Sequence, residues 1–273
     1  MKKEGCKKSK RPWRKCCLCL AFLLFLSGCG AKEEAMLENT ETVEVSALGW
    51  GYRPMKGMRP EFTAEQKKMM DTYDCIYMGK EDEGLYLTFD EGYENGYTAS
   101  ILDTLKEKGV KATFFITGPY LSQHEDLVRR MVEEGHTVGN HTVNHPSLPS
   151  VQSDEKLKAE LTGLTEAFQE KFGVSMTYVR PPKGEYDERT LRITKDMGYT
   201  NVFWSFAYQD WEQNASRGRA YAYDKVTNGL HGGAVILLHA VSRDNAEALG
   251  DIIDKARAEG YVFRTLDEHV KPE

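Results

Sequence analysis

From residue 85 onward the chain alternates short apolar runs with amphipathic stretches, and this alternation limits its fold more than any other feature of the sequence. The runs occupy residues 85–89, 112–116, 137–140, 177–179, 201–204, 234–238 and 261–264. They are apolar nearly throughout rather than at every second position, so both faces of each strand are expected to be covered. Helical patterns separate them. Those at 100–108 and 127–134 each stop at a glycine, Gly109 and Gly135, the residue favoured just past a helix end, and a longer one runs over 154–172 with Ser153 as N-cap. Seven strand–helix repeats predict an α/β fold with a parallel sheet wrapped in helices, open or closed as a barrel. No internal sequence repeat accompanies them, and one domain of about 190 residues accounts for the block.

Composition removes other classes. Lys and Arg total 36 against 42 Asp and Glu, for a net charge of -6, which provides no wide basic surface and predicts no nucleic-acid partner. Five of the six cysteines (Cys6, Cys16, Cys17, Cys19 and Cys29) crowd into the first 29 residues, leaving only Cys75 for the rest, so no disulfide framework is expected. That first segment sets Lys2, Lys3, Lys7, Lys8, Lys10, Arg11, Arg14 and Lys15 against a single Glu4, then runs apolar over 16–26. The run is shorter than the ~20 residues of a membrane span and has the form of an export signal. Leu26-Ser27-Gly28-Cys29 resembles the bacterial lipoprotein signal, in which the cysteine becomes the first mature residue and carries a diacylglyceryl group; two acyl chains anchor stably. Residues 1–28 are therefore expected to be a lipoprotein-type signal peptide. Cys29 is the expected lipidation site, and an acidic exported chain is held on the outer face of the bacterial cytoplasmic membrane. Residues 29–48 have the polar, acidic character of a flexible tether. Residues 49–82 are expected to form an extended arm rich in Gly, Pro and aromatic residues, with a short helix near 64–73 behind a Thr63–Gln66 capping box.

The reactive side chains fall at one end of the predicted strands. Asp90 and Glu91 follow the first run, His141 and His145 the third, and Arg180 ends the fourth; Asp210 and Trp211 follow the fifth, and His239 ends the sixth. In parallel α/β folds the C-terminal strand ends carry the active site, because the βα loops converge there. His141-Thr-Val-Asn-His145 spaces two imidazoles four residues apart, so one helical turn would put both on one face as ligands of a divalent cation. Pro146 limits how far such a turn could continue. Asp90 and Glu91 set two acids side by side, where one can hold a metal while the other stays free as a base. Arg180 is a candidate to keep that base ionised, and Asp210 could pair with one ring nitrogen of His239 and leave the other to donate a proton. Metal, base, acid and orienting groups together suit attack of water on a carbonyl. No serine elbow of the G-x-S-x-G type is present, and Cys75 lacks the accompanying signals of a nucleophile.

These motifs resemble the polysaccharide deacetylase family (carbohydrate esterase family 4, the NodB-homology domain). The resemblance covers roughly residues 83–267, within an expected catalytic domain at 83–270, and rests on Thr88-Phe-Asp90-Glu-Gly92, His141-x3-His145-Pro, Arg180-Pro-Pro-Lys-Gly184, Asp210-Trp211 and Leu237-Leu-His239. Within the family the chain is most similar to delta-lactam-biosynthetic deacetylases of spore-forming bacteria, through residues 89–98, 202–211, 220–224 and 239–249 and the arm segment 49–54. The resemblance implies a distorted (β/α)7-8 barrel and hydrolysis of an N-acetyl group from a glycan. It also implies Asp90 as general base, and His141, His145 and Glu91 as ligands of a divalent metal (Zn, Mn, Co or Mg). Arg180 would tune Asp90, Asp210 would orient His239 as general acid, and the Lys183 N–H would serve the oxyanion hole. Trp211 and Leu237 would line the acetyl pocket.

Two positions depart from the common pattern: Glu91, where most members carry Asp, and Lys183, where many carry Tyr. The Lys183 ammonium, with Arg243, is a candidate to attract the lactyl carboxylate of N-acetylmuramic acid. The expected substrate is therefore muramic acid in peptidoglycan glycan strands, bound by a monomer. N-acetylglucosamine in peptidoglycan or chitin-like chains is the alternative substrate, and a non-catalytic glycan binder on the same scaffold is the alternative class.

Overall fold

The computed structural model describes residues 47–55, 58–212 and 215–269; the expected signal, Cys29 and nearly all of the tether lie outside the described residues. The elements in chain order are β1 (Leu48–Gly49), α1 (Ala64–Thr72), β2 (Gly84–Glu91), α2 (Thr98–Lys108), β3 (Thr113–Ile116), α3 (Gly118–Gln123), α4 (Glu125–Glu133), β4 (Thr137–Asn140), α5 (Asp154–Phe172), β5 (Tyr178–Val179), β6 (Glu185–Tyr186), α6 (Glu188–Asp196), β7 (Thr200–Asn201), α7 (Arg219–Thr227), β8 (Ala234–His239), α8 (Arg243–Ala258) and β9 (Val262–Arg264). All seven apolar runs lie on one parallel sheet in the order β7-β5-β4-β3-β2-β8, with β9 alongside the start of β2. The sheet curls. Beyond β7 the chain meets β8 through the Phe206–Ile236 bridge and the Ser205 N–H to Val235 carbonyl bond, while Ile76 pairs with Val202. The outcome is a distorted barrel whose closing strands are short, two residues each for β5 and β7.

Alternation along the strands sorts side chains between two cores. On β2, Leu85, Leu87 and Phe89 face the helices and pack with Ile101, Leu105, Leu249 and Ile253. Tyr86 faces the barrel interior with Phe115, Tyr178, Val202 and Val235. Burial of this order is worth about 1.5–3 kcal/mol per large apolar side chain. Gly139 on β4 serves the interior: a Cβ there would meet the Phe115 ring at 2.5 Å, so only glycine lets that ring lie flat across the strand.

Helix ends follow the sequence closely. Gly109 adopts the left-handed conformation that closes α2, α5 starts behind the Ser153 cap, and the Thr63–Gln66 capping box opens α1. The arm holds more backbone pairing than its composition suggests. β1 pairs antiparallel with β6, Arg53 bridges Glu61, and Trp50 donates its indole N–H to the Trp204 carbonyl at 2.8 Å. The Trp50 ring packs against Phe62 and Phe203, so the arm buries its aromatic groups against the 184–186 and 203–204 segments.

Candidate active site

Parallel pairing of β2 with β8 and β3 sets Asp90 level with His239 on one side and Phe115 on the other. Arg180, just past β5, is fully buried and donates to Asp90 Oδ1 at 2.7 Å, to Thr88 Oγ1 at 2.8 Å and to the Val202 carbonyl at 3.1 Å. Its guanidinium lies 4.2 Å from the centre of the Phe115 ring. Burial alone would raise the Asp90 carboxyl, but the adjacent Arg180 charge, helped by His141 and His239, holds it below the usual carboxylate range. The result is a carboxylate that stays ionised with Oδ2 directed at His141 Nε2, 3.5 Å away.

The His141–His145 segment is not the helical turn that four-residue spacing suggests. It is an irregular loop in which Thr142 and His145 both take left-handed φ values, 68° and 56°. Side chains hold it in that form: the Thr142 N–H donates to Asn140 Oδ1, the His145 N–H to Thr142 Oγ1, and the Asn144 N–H to Glu160. The two imidazoles meet nonetheless, with their Nε2 atoms 3.1 Å apart. His141 Nδ1–H donates to the Arg180 carbonyl at 2.8 Å, which leaves a lone pair on Nε2. Burial pushes His141 down to about 4 and also lowers His145, so both rings are neutral at working pH and able to ligate.

Glu91 does not join them. Adjacent residues on a strand face opposite ways, so Asp90 enters the barrel while Glu91 turns to the helix side. There it is fully buried, with Oε2 3.5 Å from Thr98 Oγ1 and Oε1 lacking a hydrogen-bond partner, beside Glu94 and the Tyr120 hydroxyl. Burial, with the nearby Glu94 and Asp90 charges, raises its carboxyl well above the ordinary value. Among the described residues no group of three or more His, Cys, Asp and Glu side chains is arranged to hold a metal. The donor set fits a divalent ion through two imidazoles, with Asp90 near, and not through Glu91.

Glu91→Gln is accordingly expected to leave acetate release and bound metal per chain close to wild type. It should also stabilise the fold at alkaline pH. A glutamate whose folded pKa is raised contributes stability at low pH that fades as pH rises from about 4.3, its unfolded value, through the folded pKa, and glutamine removes that loss. Thermal unfolding from pH 4 to 9 checks this; a drop in bound metal would return Glu91 to the ligand set.

On the other rim Asp210 holds His239. Its Oδ1 accepts from His239 Nδ1–H at 2.7 Å and its Oδ2 from the His239 backbone N–H at 2.9 Å. Burial alone would lower His239, but the Asp210 charge and hydrogen bond outweigh it and raise the imidazole above its usual value. Trp211 lies 48% exposed, its ring 5.6 Å from the His239 ring and its carbonyl accepting from the Tyr93 hydroxyl. Leu237 occupies the β8 position two before His239, on the same strand face, and is buried. Lys183 is exposed, sits at a left-handed φ of 61°, and its charge acts on His145. Arg243 opens α8 with its guanidinium paired to Glu247 at 2.7 Å, so its charge is already engaged on its own helix.

Sequence reasoning missed Thr88 as an Arg180 acceptor and did not anticipate the orientation of Glu91, although the alternation of 84–91 carries both. It also missed Asn245, which donates to Asp210 Oδ2 at 2.6 Å. No local pattern marks that residue.

Comparison with known proteins gives this arrangement its class. The chain belongs to the polysaccharide deacetylase family, whose model matches residues 78–202. Peptidoglycan-N-acetylmuramic acid deacetylase PdaA of Bacillus subtilis is 40% identical over 256 residues, 93% of this chain and 94% of its own. The solved structure of PdaA, described as a family 4 carbohydrate esterase, aligns with a TM-score of 0.80 over 83% of this chain and 98% of that one. Peptidoglycan-N-acetylglucosamine deacetylase PgdA of Listeria monocytogenes is 34% identical over 189 residues, 69% of this chain and 39% of PgdA.

Proposed function

We propose that the protein hydrolyses the N-acetyl group of muramic acid residues in peptide-free peptidoglycan strands, the amine-forming step required for muramic delta-lactam formation in a spore-cortex type of wall. The observation that carries this choice of substrate is Lys183, an exposed cation beside His145, together with the likeness to PdaA along nearly the whole chain. A lactyl carboxylate on the sugar would meet that ammonium; N-acetylglucosamine lacks such a group. Arg243 plays a lesser part in this reading, because its guanidinium is already paired with Glu247.

The geometry supports the following chemistry. His141 and His145 would hold a divalent ion, which when bound would supply Lewis-acid polarisation. Two imidazoles suit Zn or Co better than Mg. Asp90, kept ionised by Arg180, takes the proton from water as it attacks. The Lys183 N–H, presented by a left-handed turn, stabilises the oxyanion. His239, kept protonated by Asp210, gives its proton to the departing amine nitrogen, while Trp211 and Leu237 enclose the acetyl methyl. The paired Asp90–Arg180 and Asp210–His239 groups favour this over a glycan-binding role, since a binder needs neither a poised base nor a poised acid. In this reading the enzyme is an exported monomer, with residues 1–28 its signal, Cys29 its lipid attachment, 29–48 a tether, and 49–82 an arm ahead of a catalytic domain at 83–270. No described helix is long and apolar enough to cross a membrane.

Lys183→Ala tests the substrate. Rates on peptide-stripped glycan strands should fall relative to rates on N-acetylglucosamine oligomers. An unchanged ratio would move the substrate to N-acetylglucosamine, the reading that the likeness to PgdA supports.

A further inference from the structure

We infer that Asn245, with Tyr208 behind it, is the positioning pair that sets Asp210 for its work on His239. This rests on the reading of His239 as the general acid. Asn245 is 1% exposed in the first turn of α8, where its backbone N–H is capped by Ser242. Its Nδ2 donates to Asp210 Oδ2 at 2.6 Å and reaches the His239 carbonyl at 3.4 Å. Its Oδ1 accepts from the Tyr208 hydroxyl. A carboxylate can rotate about its Cβ–Cγ bond, and Asp210 lies in a loop after β7 rather than on a strand. The Asn245 donor, joined by the His239 backbone N–H, holds Oδ2 on one side, which leaves Oδ1 for His239 Nδ1–H. The Asp210 carboxylate disfavours a flipped Asn245, whose oxygen would then face it, and the Tyr208 hydroxyl adds a donor to Asn245 Oδ1 in the orientation that results.

The same helical turn steadies the loop from its far side. Asp244 accepts from Ser216 Oγ at 2.6 Å and from the Arg217 and Gly218 N–H groups at 2.6 and 2.9 Å. Two consecutive α8 residues therefore fix, respectively, the acid's partner and the segment that follows it. Neither Asn245 nor Tyr208 touches substrate in this scheme; both act through Asp210.

The test is steady-state kinetics on peptide-stripped glycan with Asn245→Ala, Tyr208→Phe, His239→Ala and the Asn245→Ala/His239→Ala double variant. Loss of a hydrogen bond to a buried charge corresponds to about a 10- to 100-fold effect. Asn245→Ala should lower kcat by that amount with KM within about twofold, and Tyr208→Phe by a smaller factor in the same direction. In the His239→Ala background Asn245→Ala should add almost nothing, because both changes remove one function. The inference is overturned if Asn245→Ala keeps kcat while His239→Ala loses it, if its effect falls on KM alone, or if the two losses multiply. If Asn245→Ala fails to fold by circular dichroism, Tyr208→Phe decides, and an unchanged kcat there overturns the pair. A neutral His239→Ala instead removes the acid assignment itself.

Discussion

Asp90→Asn is expected to lower kcat for acetate release by about 10³-fold, within the range that general-base catalysis commonly supplies. Asparagine keeps the shape and the hydrogen bond from Arg180 but cannot accept a proton, so water is left without its base. The protein should still fold, at a cost, because the buried Arg180 charge loses its counter-charge while keeping bonds to Thr88 and to the Val202 carbonyl. Bound metal per chain should stay near wild type, since both imidazoles remain. Activity within a few-fold of wild type would mean that the base lies elsewhere.

The second large effect concerns Asp210→Asn, expected to reduce kcat roughly 10²–10³-fold and to displace the alkaline limb of the pH profile. In the wild type His239 must be protonated to act as acid, so kcat falls as pH rises through its pKa, which Asp210 raises above the ordinary imidazole value. Without the carboxylate, burial is the dominant influence and lowers that pKa, so the limb moves to lower pH. Asp90, held below the usual carboxylate range by Arg180, stays ionised into the acid range, so the acid side of the profile is expected to be the same for both proteins. An alkaline limb in the same place for both proteins would show that another group donates the proton.

The elements that sequence patterning captured are those set by local rules. The seven strands were visible because a strand covered on both faces is a continuous apolar run, and the helix ends because glycine and capping residues act within one turn of themselves. The dyads Asp90–Arg180 and Asp210–His239 were visible because parallel strands deliver their C-terminal ends to one edge. Glu91 shows the limit. Adjacency in sequence suggests adjacency in space, but the two-residue period of β2 sends it into a buried cluster with Thr98, Glu94 and Tyr120. The imidazole pair shows the opposite case, where the proximity was expected through a helical turn and arises from a loop fixed by Asn140, Thr142 and Glu160. The Asn140 and Thr142 bonds are local but follow no helical or strand period, whereas the Glu160 anchor, like Asn245 and the Trp50 contact with Trp204, joins residues far apart in sequence.

The most direct measurement of the central claim is mass spectrometry of peptide-free glycan strands after incubation with the protein, with and without chelator. Loss of acetyl from muramic acid residues, abolished by chelator and restored by added zinc or cobalt, is the expected result. Intact muramic acid under every metal condition, with or without loss of acetyl from glucosamine, would contradict it.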